Sequence, residues 1–233
     1  MESKQGMGAP GQQKTVAIMQ PYFLPYAGYF RLFASSDLFV IYDCVQFPRR
    51  GWVHRNRLPD ALGREVWLTL RLKKAPADVL IRNLQFSPDA AQSMAEQLRR
   101  FPAFAGLSPE AASIKEALLE VRGTPVDYIE RLLHRVSAYL GLPWNVVRSS
   151  SLDIPPTLRG EARILELVRR TGGGEYVNAP GGRELYSEDA FRQAGVALRF
   201  LPSYPGSKLS ILARIAMESQ EDLRRDIINA VGA

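Results

Sequence analysis

The sequence predicts an α/β protein: a mostly parallel sheet with helices on both faces and a helical insertion in the middle of the chain. Three observations carry this expectation. Short apolar strands alternate with amphipathic helical segments along most of the 233 residues, the signature of a parallel sheet covered by its crossover helices. The run LFVIYDCV at 38–45 is apolar enough to be buried on both faces. Between about 86 and 141 the strands give way to helices alone, with no flexible linker on either side.

Residues 1–14 are Gly, Gln, Lys and Pro-rich without periodicity, so a disordered tail is expected there, followed by a single α/β domain over 15–233. Strand 15–20 (TVAIMQ) opens the domain, followed by the loop PYFLPYAGY, a short helix at 29–36 and the strand at 38–45. The segment QFPRRGWVHRNRL reads as irregular, and EVWLTLRL at 65–72 as a third strand. In the middle, Ser87-Pro88, Ser108-Pro109 and Thr124-Pro125 each place a capping hydroxyl before a proline suited to the first helical turn. They predict helices near 88–100, 109–121 and 125–140, the last closed by Gly141. Strands at 144–150, 175–177 and 196–201 then alternate with helices at 158–171, at 188–194 and from 209 onward.

Composition narrows the function classes. Apolar residues make up 46% and charged residues 23%, as in an ordinary globular protein. No stretch approaches the ~20 apolar residues that cross a membrane, and the first residues lack the apolar core of a signal peptide. Cys44 is the single cysteine and fits a reducing compartment. The expectation is a cytoplasmic protein without membrane insertion. His54 and His134 are the only histidines, so a zinc site built from clustered His and Cys is nearly ruled out; no metal ligand is assigned and no cofactor is implied. Thirty basic against 24 acidic side chains give a net charge of +6, which suits an anionic small-molecule substrate.

Three segments offer chemistry. In the first turn, MQPYFLPYAGYF, prolines fix the backbone after Gln20, Gly28 permits close approach, and Tyr22, Tyr26 and Tyr29 supply hydroxyls. Ligands of parallel sheets lie at the carboxyl ends of strands, where this turn belongs. An aromatic turn packed on the core is the structural alternative. In the second, YDCVQFPRRGWVHRNR, the guanidinium groups of Arg49, Arg50, Arg55 and Arg57 suit phosphate or carboxylate, Asn56 adds a polar group, and Trp52 can stack on a ring. Asp43 closes the second strand as the candidate general base, facing the ligand crevice, or else as a structural carboxylate. His54 is either a proton shuttle or a structural residue, and His134, within a helix, is structural. The third segment, GGGEYVNAPGGRELY, adds Asn178, Arg183 and Tyr186 beside flexible glycines. It has no P-loop pattern. Lys208 and Ser210, at a later helix start, either meet phosphate or serve as an ordinary cap.

The turn FLPYAGY is similar to the HxGH loop of nucleotidylyltransferases, with tyrosine at both histidine positions, and PGSKLSILARI resembles that superfamily's Ser/Thr/Lys phosphate motif. This echo implies a Rossmann-like, nucleotide-binding sheet. Over nearly the whole ordered chain, IMQPYFLPYAGYF, FVIYDCVQFPRRGWVHRNRL, YVNAPGGRELY and KLSIL resemble the WbqC-like family, in family order. Where the family usually has a second acid, in YDDVQ, this chain has Cys44, and the connection LPSYPGS is short. The resemblance implies a part in O-antigen, lipopolysaccharide or secondary-metabolite biosynthesis. It points to a transferase that tailors an amino sugar or similar precursor by acyl or aminoacyl transfer to an amine of a nucleotide-linked sugar. The alternatives are a non-catalytic nucleotide, carrier or tRNA binder and a true nucleotidylyltransferase. In the transferase, Asp43, His54 and Tyr22 would be catalytic. Gln20, Tyr26, Tyr29, Arg49, Arg50, Trp52, Arg55, Asn56, Arg57, Asn178, Arg183, Tyr186, Lys208 and Ser210 would bind substrate.

Overall fold

A computed structural model describes residues 13–229. In chain order the regular elements are β1 (Thr15–Met19), α1 (Ala27–Ala34), β2 (Leu38–Ile41), β3 (Arg55–Pro59), β4 (Glu65–Thr69), α2 (Ala90–Leu98), α3 (Pro102–Ala105), α4 (Ala112–Leu119) and α5 (Pro125–Tyr139). They continue with β5 (Val146–Arg148), α6 (Gly160–Arg170), β6 (Glu175–Asn178), α7 (Glu188–Gln193), β7 (Ala197–Phe200), α8 (Ile211–Met217) and α9 (Gln220–Asn229).

Five strands form one sheet in the order β5-β2-β1-β6-β7, and every pairing in it is parallel. Val16 to Met19 lie opposite Leu38 to Ile41 in register, as expected for adjacent strands joined through a helix. The chain starts at the centre, steps outward through β2 to β5, and returns to the other side of β1 with β6 and β7. The order therefore reverses between β1 and β6, the place beyond whose carboxyl ends open parallel sheets bind their ligands.

Strand alternation divides the interior in two. Ala17, Phe39, Ile41 and Val177 face a large core shared with α1, the 90–140 helices, α8 and α9. Val16, Ile18, Val40 and Tyr176 face a smaller one closed by Ile164, Leu167 and Val168 of α6 and by Phe191 of α7. Successive side chains point to opposite faces, so β2, and β1 from Val16 onward, must be apolar to serve both cores. The inserted helices follow the same rule with a different period. In α5 the buried positions Val126, Ile129, Leu133 and Val136 share one stripe. A reciprocal cap starts the helix: Thr124 N–H donates to Asp127 Oδ2 at 2.8 Å, and Asp127 N–H to Thr124 Oγ1 at 3.2 Å. No helix among the described residues is long and apolar enough to cross a membrane.

Four expectations change. The segment read as irregular contains β3, which pairs antiparallel with β4 in a separate hairpin, so β4 does not join the parallel sheet. The reason is one-sided burial: Asn56 and Leu58 are buried while Arg57 is exposed, a period-two pattern masked by its arginines. β2 ends at Ile41: the Tyr42 amide still donates to the Met19 carbonyl, but those of Asp43 and Cys44 turn away and donate to Ser149 Oγ. Ser108-Pro109 opens a 3-10 turn before α4, and Ser87 turns its hydroxyl to Asp89 rather than capping α2. Of the expected tail, residues 1–12 lie outside the described residues. Lys14 is held in place, its carbonyl accepting from the Gly174 and Glu175 amides at 3.0 and 3.2 Å.

A ring stack ties α1 and β2 to the segment that follows α5. Phe33 of α1, 2% exposed, lies 4.1 Å from Phe39 and 5.4 Å from Trp144 between ring centroids, nearly parallel to both. Phe33→Ala should destabilise the fold by about 3–5 kcal/mol through lost burial and a residual cavity. Urea denaturation measures this, and a loss below about 1 kcal/mol would show that the stack is dispensable.

Candidate functional site

The loop after β1 turns at Leu24, whose φ of 47° lies in the left-handed region, strained for a branched residue. Its carbonyl accepts two side-chain hydrogen bonds, from Asn56 Nδ2 at 2.6 Å and from Ser210 Oγ at 2.9 Å. Asn56 also reaches the Phe23 carbonyl at 3.1 Å, and the Phe23 amide donates to the Trp52 carbonyl at 2.9 Å. The β1 loop, the hairpin and the start of α8 are thereby tied together, which sets the hairpin beside the carboxyl end of the central strand. Gly28 completes the turn, since a Cβ there would lie 2.3 Å from the Tyr26 ring.

The outer face of the hairpin carries the aromatic and cationic groups. The Arg55 guanidinium sits 4.2 Å from the Trp67 ring centroid, and that of Arg57 lies 5.5 Å from Trp67 and 5.8 Å from Trp52. The two indoles are 5.6 Å apart, tilted, and each is 38% exposed. Arg57 pairs with Glu65 at 2.8 Å. Beside this face, Trp52, Arg57 and Glu65 meet Ser207 and Lys208 of the loop before α8 in a pocket of about 160 Å³. Trp52, Arg55, Arg57 and Lys208 thus come together from distant parts of the chain. Trp67 belongs with them but was not singled out in the sequence, where only its alternation with Glu65 and Thr69 marks it as outward-facing.

At the opposite end of the hairpin, Arg49 and His54 line a separate cleft of about 510 Å³. The four arginines therefore do not converge on one point: Arg50 is exposed, and its carbonyl accepts from Arg55 at 3.1 Å. His54 packs edge-on against Phe47 at 5.0 Å. Burial, and then the positive charge of Arg55, lower its pKa from 6.5 to about 4.

Several candidates prove to be tied into the scaffold. Asp43, 1% exposed, turns its carboxylate onto Ser149 and Ser150. Its Oδ1 accepts from Ser149 Oγ (2.8 Å) and the Ser150 amide (2.9 Å), and its Oδ2 from Ser150 Oγ (2.6 Å). This is the structural-carboxylate alternative, a clasp between the loops after β2 and β5. Tyr29 donates its hydroxyl to the Gln20 carbonyl at 2.8 Å, and Tyr22 packs on it with centroids 5.5 Å apart. Burial raises the pKa of both hydroxyls. Tyr26 stacks on Tyr204 at 5.8 Å, and Ser210, fully buried, caps α8. Asn178 is 4% exposed, and its Oδ1 accepts from the Ala179 amide at 2.7 Å. A Cβ at Gly182 would lie 2.3 Å from Asn178 Nδ2. Arg183 lies over Phe200 at 5.0 Å, and Tyr186 packs edge-on against Tyr176 at 5.6 Å. His134 is exposed on α5, with its ring 4.8 Å from Trp144. Among the described residues no cluster of three His, Cys, Asp or Glu side chains is placed to hold a metal.

The segments that build this region coincide with a family signature: the WbqC-like protein family matches residues 20–212. The chain belongs to the WbqC-like family. It is similar to an uncharacterized protein of Mycobacterium tuberculosis, 27% identical over 191 residues that cover 78% of this chain and 80% of the relative. No solved structure matches the chain significantly. The family match spans the β1 loop, the hairpin and the start of α8, the three segments joined at Leu24.

Two predictions follow from these contacts. Asp43→Asn turns one accepting oxygen into a donor facing Ser149 or Ser150, and it should cost at least ~1.5–3 kcal/mol, the worth of a hydrogen bond to a charged group. Chemical denaturation showing wild-type stability would remove the clasp role. For His54, the unfolded chain takes up a proton between pH 6.5 and about 4 that the folded chain does not. Stability should therefore fall as pH drops through that window and be unaffected by this group above about pH 7. His54→Gln should flatten that part of the pH–stability curve, and an unchanged slope would contradict the lowered pKa.

Proposed function

We propose that the protein is a transferase acting on an anionic, nucleotide-linked building block that lies along the outer face of the hairpin. The observation that carries this reading is the Trp52–Trp67 pair with Arg55 and Arg57 over it and Lys208 beside it. An exposed indole offers a stacking surface to any base, worth about 1–3 kcal/mol per base, and the adjacent cations suit phosphate. The face runs five residues from Glu65 to Thr69, about 14 Å at ~3.4 Å per residue, long enough for a nucleoside diphosphate with part of its sugar.

The family resemblance suggests the chemistry: transfer of an acyl or aminoacyl group to the amine of an amino sugar in glycan or secondary-metabolite biosynthesis. A carbon–nitrogen bond forms, the bond from the acyl carbon to its carrier breaks, and the amine gives up one proton. Water takes that proton, because burial and Arg55 disfavour a charged His54, and Asp43 holds the scaffold. The positions that would carry nucleotidylyl transfer in the HxGH pattern are Tyr26 and Tyr29, and the buried Tyr29 hydroxyl already donates to a backbone carbonyl, which disfavours that reading.

Titration calorimetry with uridine and thymidine diphosphate sugars should show binding that weakens by about 1–3 kcal/mol in Trp67→Ala and about 1.5–3 kcal/mol in Arg57→Ala, with little change in melting temperature. Mass spectrometry of an amino-sugar nucleotide incubated with acyl donors, including aminoacyl-tRNA, should show an amide product. Binding without turnover would make the protein a non-catalytic binder. Unchanged affinity in both variants would remove the hairpin face from the site.

A further inference from the structure

The cleft of about 510 Å³ at the far end of the hairpin has a divided character. Phe47, Leu70 and Leu84, all buried, and half-buried Leu72 give it an apolar lining. Its rim is basic. Lys73 and Lys74 follow β4, and Arg49 pins the chain just beyond them, donating from Nη2 to the carbonyls of Ala75 at 2.5 Å and Pro76 at 2.8 Å. The one carboxylate in the lining, Asp89, is already engaged by Arg71 and by the Ser87 hydroxyl. Lys73 Nζ reaches only the neutral Gln85 Oε1, at 3.1 Å, and Lys74 has no hydrogen bond or ion pair among the described residues. The Nδ1 of His54 is buried without a hydrogen-bond partner among the described residues.

We propose that this cleft binds a small ligand that carries a phosphate on an apolar acyl or aromatic body. A bare phosphate would satisfy the two lysines and leave the apolar lining against water. A purely apolar ligand would cover the lining and leave the ammonium groups without a counter-charge. A ligand with both parts answers both, and burial of its apolar part strengthens the electrostatic contacts at the rim. Its identification as the seat of the acyl donor rests on the transferase reading, whereas the chemistry of the ligand rests on the cleft alone. Lys73 and Lys74 were absent from the sequence-derived candidates because they lie outside the arginine-rich segment.

The test uses the full chain with phenyl phosphate, phenol and inorganic phosphate, titrated by calorimetry. Phenyl phosphate should bind at least about tenfold more tightly than either fragment, an increment of about 1.4 kcal/mol. The Lys73→Ala/Lys74→Ala double variant should lose about tenfold or more, with the wild-type affinity falling as salt rises. Trp67→Ala should bind phenyl phosphate normally while losing nucleotide affinity, so failure of this proposal is distinguishable from failure of the nucleotide reading. Absence of phenyl phosphate binding, an affinity no better than that of phenol or phosphate, or an unaffected double-lysine variant would each overturn the proposal.

Discussion

The carbonyl of Leu24 is the point on which the placement of the hairpin depends. A branched residue at φ 47° adopts an unfavourable backbone, and such a turn persists only where its surroundings over-determine it. Here two side chains donate to the same oxygen, Asn56 from the hairpin and Ser210 from the start of α8. Both are buried, so each bond is formed away from competing water, and removal of either donor leaves a carbonyl only partly satisfied. The strain in the turn and the position of the hairpin are two consequences of one set of contacts.

From that junction the remaining geometry follows. The strand order places the reversal between β1 and β6, and the β1 loop stands at its rim. The hairpin, fixed to that loop through β3, is held on its other strand by Gln97 of α2, whose side-chain amide exchanges hydrogen bonds with the backbone of Thr69, each at 2.9 Å. Clamped on both sides, it can present two half-exposed tryptophans and two arginines outward. These contribute little to folding, since an exposed cation–π contact is worth about 0.5–1 kcal/mol. Their arrangement is costly to explain as surface decoration and simple to explain as a binding face.

The parallel sheet was legible because its strands serve two cores. Val16, Ile18 and Val40 on one face and Ala17, Phe39 and Ile41 on the other leave no polar position in β2 or in β1 after Thr15, a run that periodicity reads well. The hairpin was not legible because two of the five residues of β3 are arginine, and local pattern reading treats a charge run as loop. The site was readable as chemistry but not as partnership. Asn56, Ser210 and Asp43 stand out in the sequence as candidate binding or catalytic groups, yet their polar atoms meet the backbone or neighbouring serines, which sequence spacing cannot reveal. Trp52, Arg55, Arg57 and Lys208 do come together, through a register that brings residue 57 opposite residue 67 and a contact across some 150 positions. Trp67, Lys73 and Lys74 went unmarked, since nothing local distinguishes them from ordinary surface residues.

The Leu24 junction positions the hairpin independently of the parallel sheet. Hydrogen exchange of Asn56→Ala, followed amide by amide, tests it most directly. The account predicts that amides of β3 and β4 lose protection by one to two orders of magnitude, as expected for the loss of about 1.5–3 kcal/mol of local stability, while those of β1, β2 and β6 keep theirs. Unchanged protection in the hairpin, or a uniform loss across hairpin and sheet alike, would contradict it.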